Sequence, residues 1–450
     1  MINLLKNHIF IIALLFLFPK VELVAQTLKK SKPNVIIIYA DDLGYGDLSS
    51  YGNPTIKTPM LDKMAYEGVK FTQFYVAAPV CTPSRAALLT GCYPKRVGLH
   101  KGVLFPNSTS GLNPKEETIA DLLKGNGYAT ACIGKWHLGH QEKFSPINQG
   151  FDEFYGIPFS NDMSKKEQDI LRNKKTNYQF KLPLIKGKDT ISFEPDQQYI
   201  TRDFTEKSIE FIKQNKEKPF FLYLAHPMPH IPIYASPDFK GKSTRGAYGD
   251  TIEEIDWSVG QIMKTLTDLN LDENTLVLFT SDNGPWKIYK TEGGSSGPLR
   301  GAKGTTWEGG MREPFIAWWP KTIKPHQYST AIINNMDILP TIAKITGAKL
   351  SENKIDGRDI SGLFFNENEL LEDKPFFYYS SQGKMEGIRI GAFKMIIIEG
   401  VSQLYNIEED ISELYDLASQ NPQTVESFKK QMIEFDLHLE KTSRSIGTVQ

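Results

Sequence analysis

Cysteine is scarce in this chain, neither sign of charge dominates it, and internal repeats and low-complexity segments are absent. Its 450 residues include three cysteines, which is too few for a scaffold held together by disulfides. Lys and Arg number 52 against 53 Asp and Glu, so the net charge of −1 makes nucleic acid a poor main partner. At 40% hydrophobic and 23% charged residues, the composition is globular and argues against disorder, collagen and coiled coil.

Long apolar runs are also missing, apart from residues 9–18, which follow Lys6 and end before Pro19. A run of about ten residues is short of the roughly 20 that a membrane span needs. Small residues at 23–26 offer a cleavage site, so we expect a signal peptide over residues 1–26, no stable membrane span and an exported, periplasmic or secreted protein. An N-terminal anchor is the alternative. In an exported chain, an odd number of cysteines suggests a free or specially used thiol.

Four short apolar runs each end in polar residues that could do chemistry. They cover residues 34–39, 130–133, 219–225 and 275–280, and helical patterns cover residues 118–126, 202–215 and 250–269. Alternating strands and helices predict an α/β fold, with a mostly parallel sheet sandwiched by helices. Because ligands bind beyond the carboxyl ends of parallel strands, we expect the polar residues at these ends to share one site.

The texture of the sequence changes after residue 340. Short strand patterns at 376–379, 387–390, 393–398 and 403–406 precede a helical pattern at 424–441. These patterns predict a catalytic domain over residues 27–340 and a smaller C-terminal α+β domain with an antiparallel sheet over residues 341–450. The Lys-rich segment 162–195 is expected to be an irregular insertion or surface loop.

Hard oxygen ligands follow two of the predicted strands. Asp41 and Asp42 come after the first run, and Asp282 and Asn283 come after the fourth. Three carboxylates and one amide suit a divalent hard cation, Ca²⁺ or Mg²⁺. Taken alone, the Asp41–Asp42 pair could instead cap a helix or form a turn.

Cys81 stands two residues before Pro83, which opens a helical pattern. Proline is favoured in the first turn of a helix, so we expect Cys81 to lie just before a helix N-terminus. That position lowers the pKa of a thiol and attracts anions. A buried small residue is the alternative for this cysteine alone.

Two long motifs carry a family resemblance. Residues 79–91, with Cys-x-Pro-Ser-Arg followed by Leu-Leu-Thr-Gly, resemble the maturation signature of the type I, formylglycine-dependent sulfatases, and residues 127–137 resemble the second signature of that family. The likeness continues through residues 41–42, 149–152, 281–284 and 304–314. It implies an alkaline-phosphatase/sulfatase-like fold and hydrolysis of sulfate monoesters. The expected substrate is a sulfated saccharide with galactose or N-acetylgalactosamine sulfate units.

The resemblance also implies cofactors and roles. Cys81 would be oxidised by a maturase to Cα-formylglycine (3-oxoalanine), whose hydrated aldehyde is the nucleophile. One Ca²⁺ would be held by Cys81 and by the oxygen ligands Asp41, Asp42, Asp282 and Asn283. Asp282 would take the proton of the attacking hydroxyl, and His137 would deprotonate the second hydroxyl so that sulfate leaves.

Five further positions match the family pattern. Arg85 and Lys135 are its partners for the aldehyde hydrate and the metal site. His230 and Lys303 match positions that bind sulfate oxygens and protonate the leaving oxygen. Ser160 matches a position that touches the sulfate, through a shorter motif.

A few residues depart from the pattern or are not assigned by it. Cys92 stands where relatives often carry arginine, and it could contact substrate or pair with Cys132. His226 lies close to His230 in sequence, and it belongs either near the site or in the core. Segment 162–195 matches no part of the pattern and is expected to line the mouth of the substrate site.

Two other functions fit some of these residues. One is hydrolysis of phosphate or phosphonate esters, although two-zinc enzymes of that kind need more histidine ligands, typically one where Asn283 stands. The other is a non-catalytic protein that binds sulfated glycans through an unconverted Cys81. The presence of candidate acids and bases such as His137 and Lys303 argues against a mere binder.

Overall fold

Runs of β-branched and aromatic residues form the centre of a large sheet. The structure is a computed structural model that describes residues 32–366 and 369–449, so the predicted signal peptide lies outside the described residues. The strands are β1 (Asn34–Ala40), β2 (Val69–Tyr75), β3 (Ser110–Gly111), β4 (Ala129–Lys135), β5 (Glu153–Ile157), β6 (Pro183–Lys186), β7 (Asp189–Phe193), β8 (Phe220–Ala225), β9 (Thr275–Ser281), β10 (Arg312–Trp318), β11 (Gln327–Ser329), β12 (Ile333–Asn334), β13 (Phe376–Tyr379), β14 (Met385–Ile390), β15 (Phe393–Ile398), β16 (Val401–Asn406) and β17 (Gly447–Thr448).

Ten α-helices accompany these strands in the described residues. They are α1 (Pro59–Glu67), α2 (Cys81–Thr90), α3 (Ile119–Gly125), α4 (Lys165–Leu171), α5 (Ile200–Gln214), α6 (Ala247–Asp268), α7 (Glu308–Met311), α8 (Ile338–Thr346), α9 (Gly362–Phe365) and α10 (Pro422–Lys441). Within the described part of the chain, no helix combines the length and the apolar character needed to cross a bilayer.

The main sheet runs in the order β11-β2-β10-β9-β1-β8-β4-β5-β6-β7, with β12 pairing beside β2. β1 is parallel to both of its neighbours: Ile37 pairs with Tyr223 on β8 and with Leu278 on β9. β10 is antiparallel to its two neighbours, as are β6 and β7 to theirs. The predicted α/β fold with a mostly parallel sheet is therefore confirmed.

Side chains of β1 alternate between two apolar layers, because successive residues of a strand point to opposite faces. Ile36 and Ile38 pack in the layer that holds residues of α1, α5 and α6. Val35, Ile37 and Tyr39 pack in the layer that holds residues of α2, α3 and α8. Each fully buried aliphatic side chain contributes roughly 1.5–3 kcal/mol, so the two layers hold the strand ends rigidly in place.

Segment 162–195 is more regular than predicted. It contains α4 and the hairpin β6–β7, which extends the main sheet antiparallel to β5. Gly187 supplies the left-handed backbone, at φ +62°, that the tight hairpin turn requires. All residues of β7 are exposed, so the strand lacks the apolar pattern by which a buried strand is recognised in a sequence.

The four strands β13 to β16 form a separate antiparallel sheet next to α10, as the sequence predicts. The proposed domain boundary at residue 340 falls inside α8 and stays a prediction. The long helix α6 begins at Ala247, three residues before its predicted start at Asp250.

A buried ionic cluster connects this small sheet to the main one. The carboxylate of Glu308 lies 3.0 Å from Lys394 Nζ and accepts a hydrogen bond of 2.5 Å from the Tyr75 hydroxyl. Lys394 Nζ also lies 2.7 Å from Glu413, and Arg389 lies 3.6 Å from Glu308. Burial alone would raise the pKa of Glu308, but the charges of Lys394 and Arg389 outweigh it and lower the pKa to about 2.

We expect Lys394→Met to lower the free energy of unfolding by about 3–5 kcal/mol, because two buried carboxylates lose their shared cation. The matched control is Lys430→Met, which removes a lysine that is 75% exposed on α10 and should change stability by less than about 0.5 kcal/mol. Urea unfolding followed by circular dichroism measures both. Equal stability of the two variants would show that the cluster does not hold the sheets together.

Candidate active site

The site is built where β1 and β9 end side by side. Ala40 pairs with Ser281 at the last rung of these parallel strands, so the residues that follow each strand come together. Asp41 and Asp42 follow β1, and Asp282 and Asn283 follow β9; all four are buried. The sequence predicted this meeting from the strand ends alone.

The backbone at this edge is strained. Asp42 has a left-handed φ of +65° and His137 one of +60°. Such conformations cost about 1–3 kcal/mol in residues other than glycine, and they persist where surrounding contacts fix them. Here the Asp42 backbone N–H donates to Asp282 Oδ1 at 3.1 Å, which ties one strand end to the other.

Cys81 is the first residue of α2. The sequence had suggested a position just before the helix. Its Sγ lies 3.5 Å from Asp41 Oδ1 and 3.5 Å from Lys303 Nζ. The prediction of a lowered thiol pKa is wrong: burial raises the pKa of Cys81 far above its usual value, against the opposing charges of Lys135 and Lys303. Pro83 is compatible with this helix start, because the first N–H groups of a helix have no partner within it.

Arg85, one turn into α2, holds Asp282. Its Nε and Nη2 donate to Asp282 Oδ2 at 3.0 and 2.8 Å, while Nη1 donates to the Lys135 carbonyl at 3.1 Å. Nη2 also lies 3.4 Å from Asp41 Oδ1. A single buried guanidinium thus fixes the ends of three strands relative to one another.

Two lysines pair with the other two carboxylates. Lys135 Nζ, at the end of β4, donates to Asp41 Oδ2 at 2.5 Å and to Ser160 Oγ at 3.1 Å. Lys303 Nζ donates to both carboxylate oxygens of Asp42, at 2.6 and 2.7 Å. The site therefore contains three buried carboxylates in close contact with three cations, of which Arg85 and Lys135 are buried.

The carboxylates nevertheless differ in proton affinity. Burial tends to raise the pKa of Asp41, but the charges of Lys135, His230 and Arg85 outweigh it and hold the pKa well below its usual range. Burial and the negative charge of Asp41 raise the pKa of Asp282 to about 7, although Arg85 opposes them. Of these two groups, Asp282 is thus the better proton acceptor near neutral pH.

Two histidines border the carboxylates. His230 Nδ1–H donates to the Ile231 carbonyl at 2.6 Å, which leaves Nε2 at 3.7 Å from Asp42 Oδ2. Burial and Lys303 lower the pKa of His230. His137 Nε2–H donates to the Leu104 carbonyl at 2.9 Å.

Nδ1 of His137 is buried and has no hydrogen-bond partner among the described residues. Burial, followed by the charge of Lys135, holds the pKa of His137 well below its usual value. A neutral imidazole with a free ring nitrogen can accept a proton.

Two residues whose place was open in the sequence lie apart from these charges. His226 is buried, its Nε2 lies 3.1 Å from Ser258 Oγ on α6, and burial lowers its pKa to about 3. This is a core histidine. Cys92 lies 3.4 Å from Arg444 Nη2, and Cys92 and Cys132 are both free buried thiols.

Three residues near the site were missed at the sequence level. The Trp286 ring lies 5.3 Å from the His230 ring and 4.4 Å from Lys303 Nζ, and Tyr289 packs against Trp286 at 5.0 Å. Their closeness to the Ser281–Gly284 motif was the available signal. Both carboxylate oxygens of Glu313 are buried with no partner in the described residues, and burial raises its pKa well above the usual value.

The donor set fits a hard divalent cation. Ligand atoms of Asp41, Asp42, Cys81 and Asp282 all lie within 4.8 Å of one another. In addition, Asn283 Oδ1 is buried and has no partner among the described residues, while its Nδ2 donates to Asp42 Oδ1 at 2.7 Å. A buried acceptor without a donor is costly unless it binds a cation or water.

Comparison with known families identifies two matching segments. Residues 33–348 match the model of the family described as Sulfatase. Residues 302–441 match the model described as N-sulphoglucosamine sulphohydrolase, C-terminal. Together the two matches cover nearly all of the described chain.

Individual relatives agree with these matches. Human arylsulfatase A is 40% identical over 376 residues, which are 80% of this chain and 74% of that protein. Human N-acetylgalactosamine-6-sulfatase is 39% identical over 364 residues, which are 77% of this chain and 68% of that protein.

Solved structures give the same result. The PsFucS1 sulfatase from Pseudoalteromonas sp. has a TM-score of 0.83 at 30% identity, covering 92% of each chain. Ps i-CgsB, solved in complex with k-i-k-neocarrahexaose, has a TM-score of 0.80 at 33% identity, covering 92% of this chain and 95% of the other. With its family-model matches and its relatives at about 40% identity, the chain belongs to the sulfatase family and is a sulfuric ester hydrolase.

Proposed function

We propose that this enzyme hydrolyses sulfate monoesters of a saccharide through a Cα-formylglycine made from Cys81, next to one calcium ion. The observation that carries the proposal is the contact of the Cys81 side chain with Asp41 and Lys303, at the N-terminus of a helix and beside three carboxylates. An unmodified thiol of raised pKa is a poor nucleophile in this environment, so a cysteine used in this place calls for conversion to another group.

Asp41, Asp42, Asp282 and Asn283 would hold the calcium ion, together with the oxygen that replaces sulfur at position 81. When bound, the ion and the aldehyde hydrate supply an activated oxygen nucleophile for sulfur. Carboxylate and amide oxygens are the ligands that Ca²⁺ prefers, and Asn283 Oδ1 is the acceptor left without a partner.

The chain's own residues divide the proton transfers between them. Asp282, whose pKa is raised by burial and by the charge of Asp41, accepts a proton from the oxygen at position 81. His137 is held neutral by burial, and its free Nδ1 serves as the second base. Arg85 and Lys135 keep Asp282 and Asp41 in place, so neither carboxylate must reorganise during the reaction.

His230 and Lys303 face the leaving group in this proposal. Both lie at Asp42, and both contact the Trp286 ring, so they share one side of the site. The Lys303 ammonium and a protonated Nε2 of His230 bind sulfate oxygens, and one of these two groups gives a proton to the ester oxygen as the sulfur–oxygen bond breaks. Ser160 Oγ accepts a hydrogen bond from Lys135 and orients that lysine toward the sulfate group of the substrate.

The substrate we propose is a sulfated carbohydrate with galactose or N-acetylgalactosamine sulfate units. Its support is the similarity to N-acetylgalactosamine-6-sulfatase and to Ps i-CgsB, which was solved with a neocarrahexaose. We also propose export to the periplasm or the medium, on the sequence of residues 1–26, and a maturase as the partner that acts on Cys81.

Mass spectrometry of the tryptic peptide 71–85, from protein made in its native host, tests the modification. We expect the peptide to lose one sulfur and two hydrogens and to gain one oxygen, as conversion of the thiol to an aldehyde requires. Cys81→Ala should be inactive on a small aryl sulfate. The control Cys92→Ala removes a buried thiol that donates hydrogen bonds to backbone carbonyls, and this variant should still be modified at Cys81 and active. An unmodified but active enzyme would contradict the proposal.

Calcium binding can be measured apart from catalysis. After treatment with a chelator, added Ca²⁺ should raise the unfolding temperature, since a ligand at a hundredfold excess over its Kd adds about 2.7 kcal/mol of stability. Asp42→Asn should abolish the rise, because it removes a carboxylate from the donor set. The control Asp268→Asn, at an exposed carboxylate on α6, should keep it. A rise that persists in Asp42→Asn would place the cation elsewhere.

The leaving-group role of Lys303 is tested with two esters. Lys303→Ala should lower kcat on a sugar sulfate by a factor on the order of 10² to 10⁴, because an alkoxide leaves poorly without a proton. An aryl sulfate with an acidic phenol should be affected much less, since its leaving group needs little protonation. Lys63→Ala, an exposed lysine on α1, is the control. Equal losses on the two esters would assign Lys303 to sulfate binding alone.

A further inference from the structure

A cleft opens beside the proposed active site, on the segment that departs from the family pattern. Its volume is about 470 Å³, and its lining includes Phe105, Asp162, Gln168, Arg172, Lys174 and Lys175. Most of its wall belongs to α4 and the turn that follows it. None of the residues to which the mechanism gives a role lies in this wall.

The cleft carries an excess of positive charge. Its lining has three cations, Arg172, Lys174 and Lys175, against the one carboxylate of Asp162, a net charge of +2 in a chain whose net charge is −1. All three cations are exposed. An uncompensated cluster of this kind attracts anions from solution.

Neighbouring acids do not neutralise this charge. Asp169 is engaged by Lys165 at 2.6 Å and by the backbone N–H of Thr176 at 2.7 Å, and Glu167 accepts from the Tyr234 hydroxyl at 2.7 Å. Among the described residues, neither Lys174 nor Lys175 has a side-chain ion pair. The Arg172 guanidinium donates through Nε to Gln168 at 2.9 Å, a neutral acceptor that leaves its charge unbalanced.

The cleft adjoins the proposed reaction centre on two sides. Asp162 is two residues beyond Ser160, which accepts a hydrogen bond from Lys135 at 3.1 Å. Phe105 directly follows Leu104, whose carbonyl accepts from His137 at 2.9 Å.

Tyr289, which packs against Trp286, is within electrostatic range of both sets of charges. Burial raises the pKa of Tyr289, the charge of Asp162 raises it further, and the charges of Arg172 and Lys303 oppose them. The pKa of Tyr289 is thus affected both by charges of the cleft and by charges of the proposed active site. Its partner Trp286 lies 4.4 Å from Lys303 Nζ, and a half-buried aromatic ring beside the proposed saccharide site offers a surface on which a sugar ring can stack.

We propose that this basic cleft binds a second sulfate group of the glycan, carried by a sugar unit next to the one whose sulfate is cleaved. Arg172, Lys174 and Lys175 are the residues that would contact this second sulfate. The enzyme would therefore select saccharides with sulfates on adjacent units over those with a single sulfate. This inference rests on the proposed function, because it takes the cleaved sulfate to lie at Lys303 and His230.

Binding to protein that cannot turn over is the direct test. In a Cys81→Ala background, calorimetry would compare a galactose disaccharide sulfated on both units with the same disaccharide sulfated only on the unit that is cleaved. We expect Lys174→Ala/Lys175→Ala to weaken binding of the disulfated compound by at least about tenfold, as loss of a charge-assisted hydrogen bond predicts. Binding of the monosulfated compound should change by less than about twofold.

A matched control removes two adjacent lysines elsewhere. Lys429→Ala/Lys430→Ala takes the same charge from α10, where both lysines have glutamate partners, and should leave both affinities unchanged. Raising the salt concentration should reduce the advantage of the disulfated compound, because exposed charges are screened. Equal losses for the two saccharides, or no loss in the cleft variant, would overturn the second-sulfate site.

Turnover of a small aryl sulfate by the converted enzyme separates the two proposals. The cleft variant should retain full aryl sulfatase activity, since neither lysine belongs to the reaction centre. Suppose that the converted enzyme turns over the aryl sulfate, but that the Cys81→Ala protein with an intact cleft binds both disaccharides equally. The cleft proposal then fails and the proposed function stands. If the converted enzyme releases sulfate from neither the aryl sulfate nor the disulfated disaccharide, the proposed function fails and the cleft proposal fails with it.

Discussion

Charge balance among buried side chains is the constraint on which this structure depends. Asp41, Asp42 and Asp282 are buried at the ends of two parallel strands, where unpaired carboxylates would be strongly unfavourable. Each is paired with a cation, contributed by α2, by β4 and by the loop before α7, and Asp41 also lies 3.4 Å from the guanidinium that pairs with Asp282. Because those cations come from distant parts of the sequence, the site forms only when the whole sheet is in register. Precision at the site and stability of the fold therefore have the same physical origin.

The same arrangement accounts for the unequal proton affinities of chemically identical groups. The pKa of Asp41 is held low by the cations around it, whereas burial and the negative charge of Asp41 raise the pKa of Asp282 to about 7. The three carboxylates and their three cations sum to zero charge. A bound divalent cation would therefore add a net positive charge to the site. The sheet thus supplies both a rigid frame and a set of carboxylates with graded basicity.

Much of the fold and the composition of the site could be predicted from the sequence. Apolar runs such as residues 34–39 are local signals, and parallel strand ends bring Asp41 and Asp282 together by geometry alone. The pKa of Cys81 could not be predicted, because burial depends on the helices and loops packed over it. The regular secondary structure of segment 162–195 and the position of Trp286 could not be predicted either, since both depend on contacts with residues far away in the chain.

The burial of Cys81 has a consequence for the order of events in the life of the protein. Its side chain is 2% exposed at the start of α2, beneath Lys303 and beside Asp41. An oxidising enzyme has no access to a thiol enclosed in this way, so conversion as proposed has to take place while the chain is still unfolded. Each molecule then has one opportunity to be converted. A copy that folds first keeps its thiol for as long as it stays folded, so the proportion of active enzyme depends on the relative rates of modification and folding.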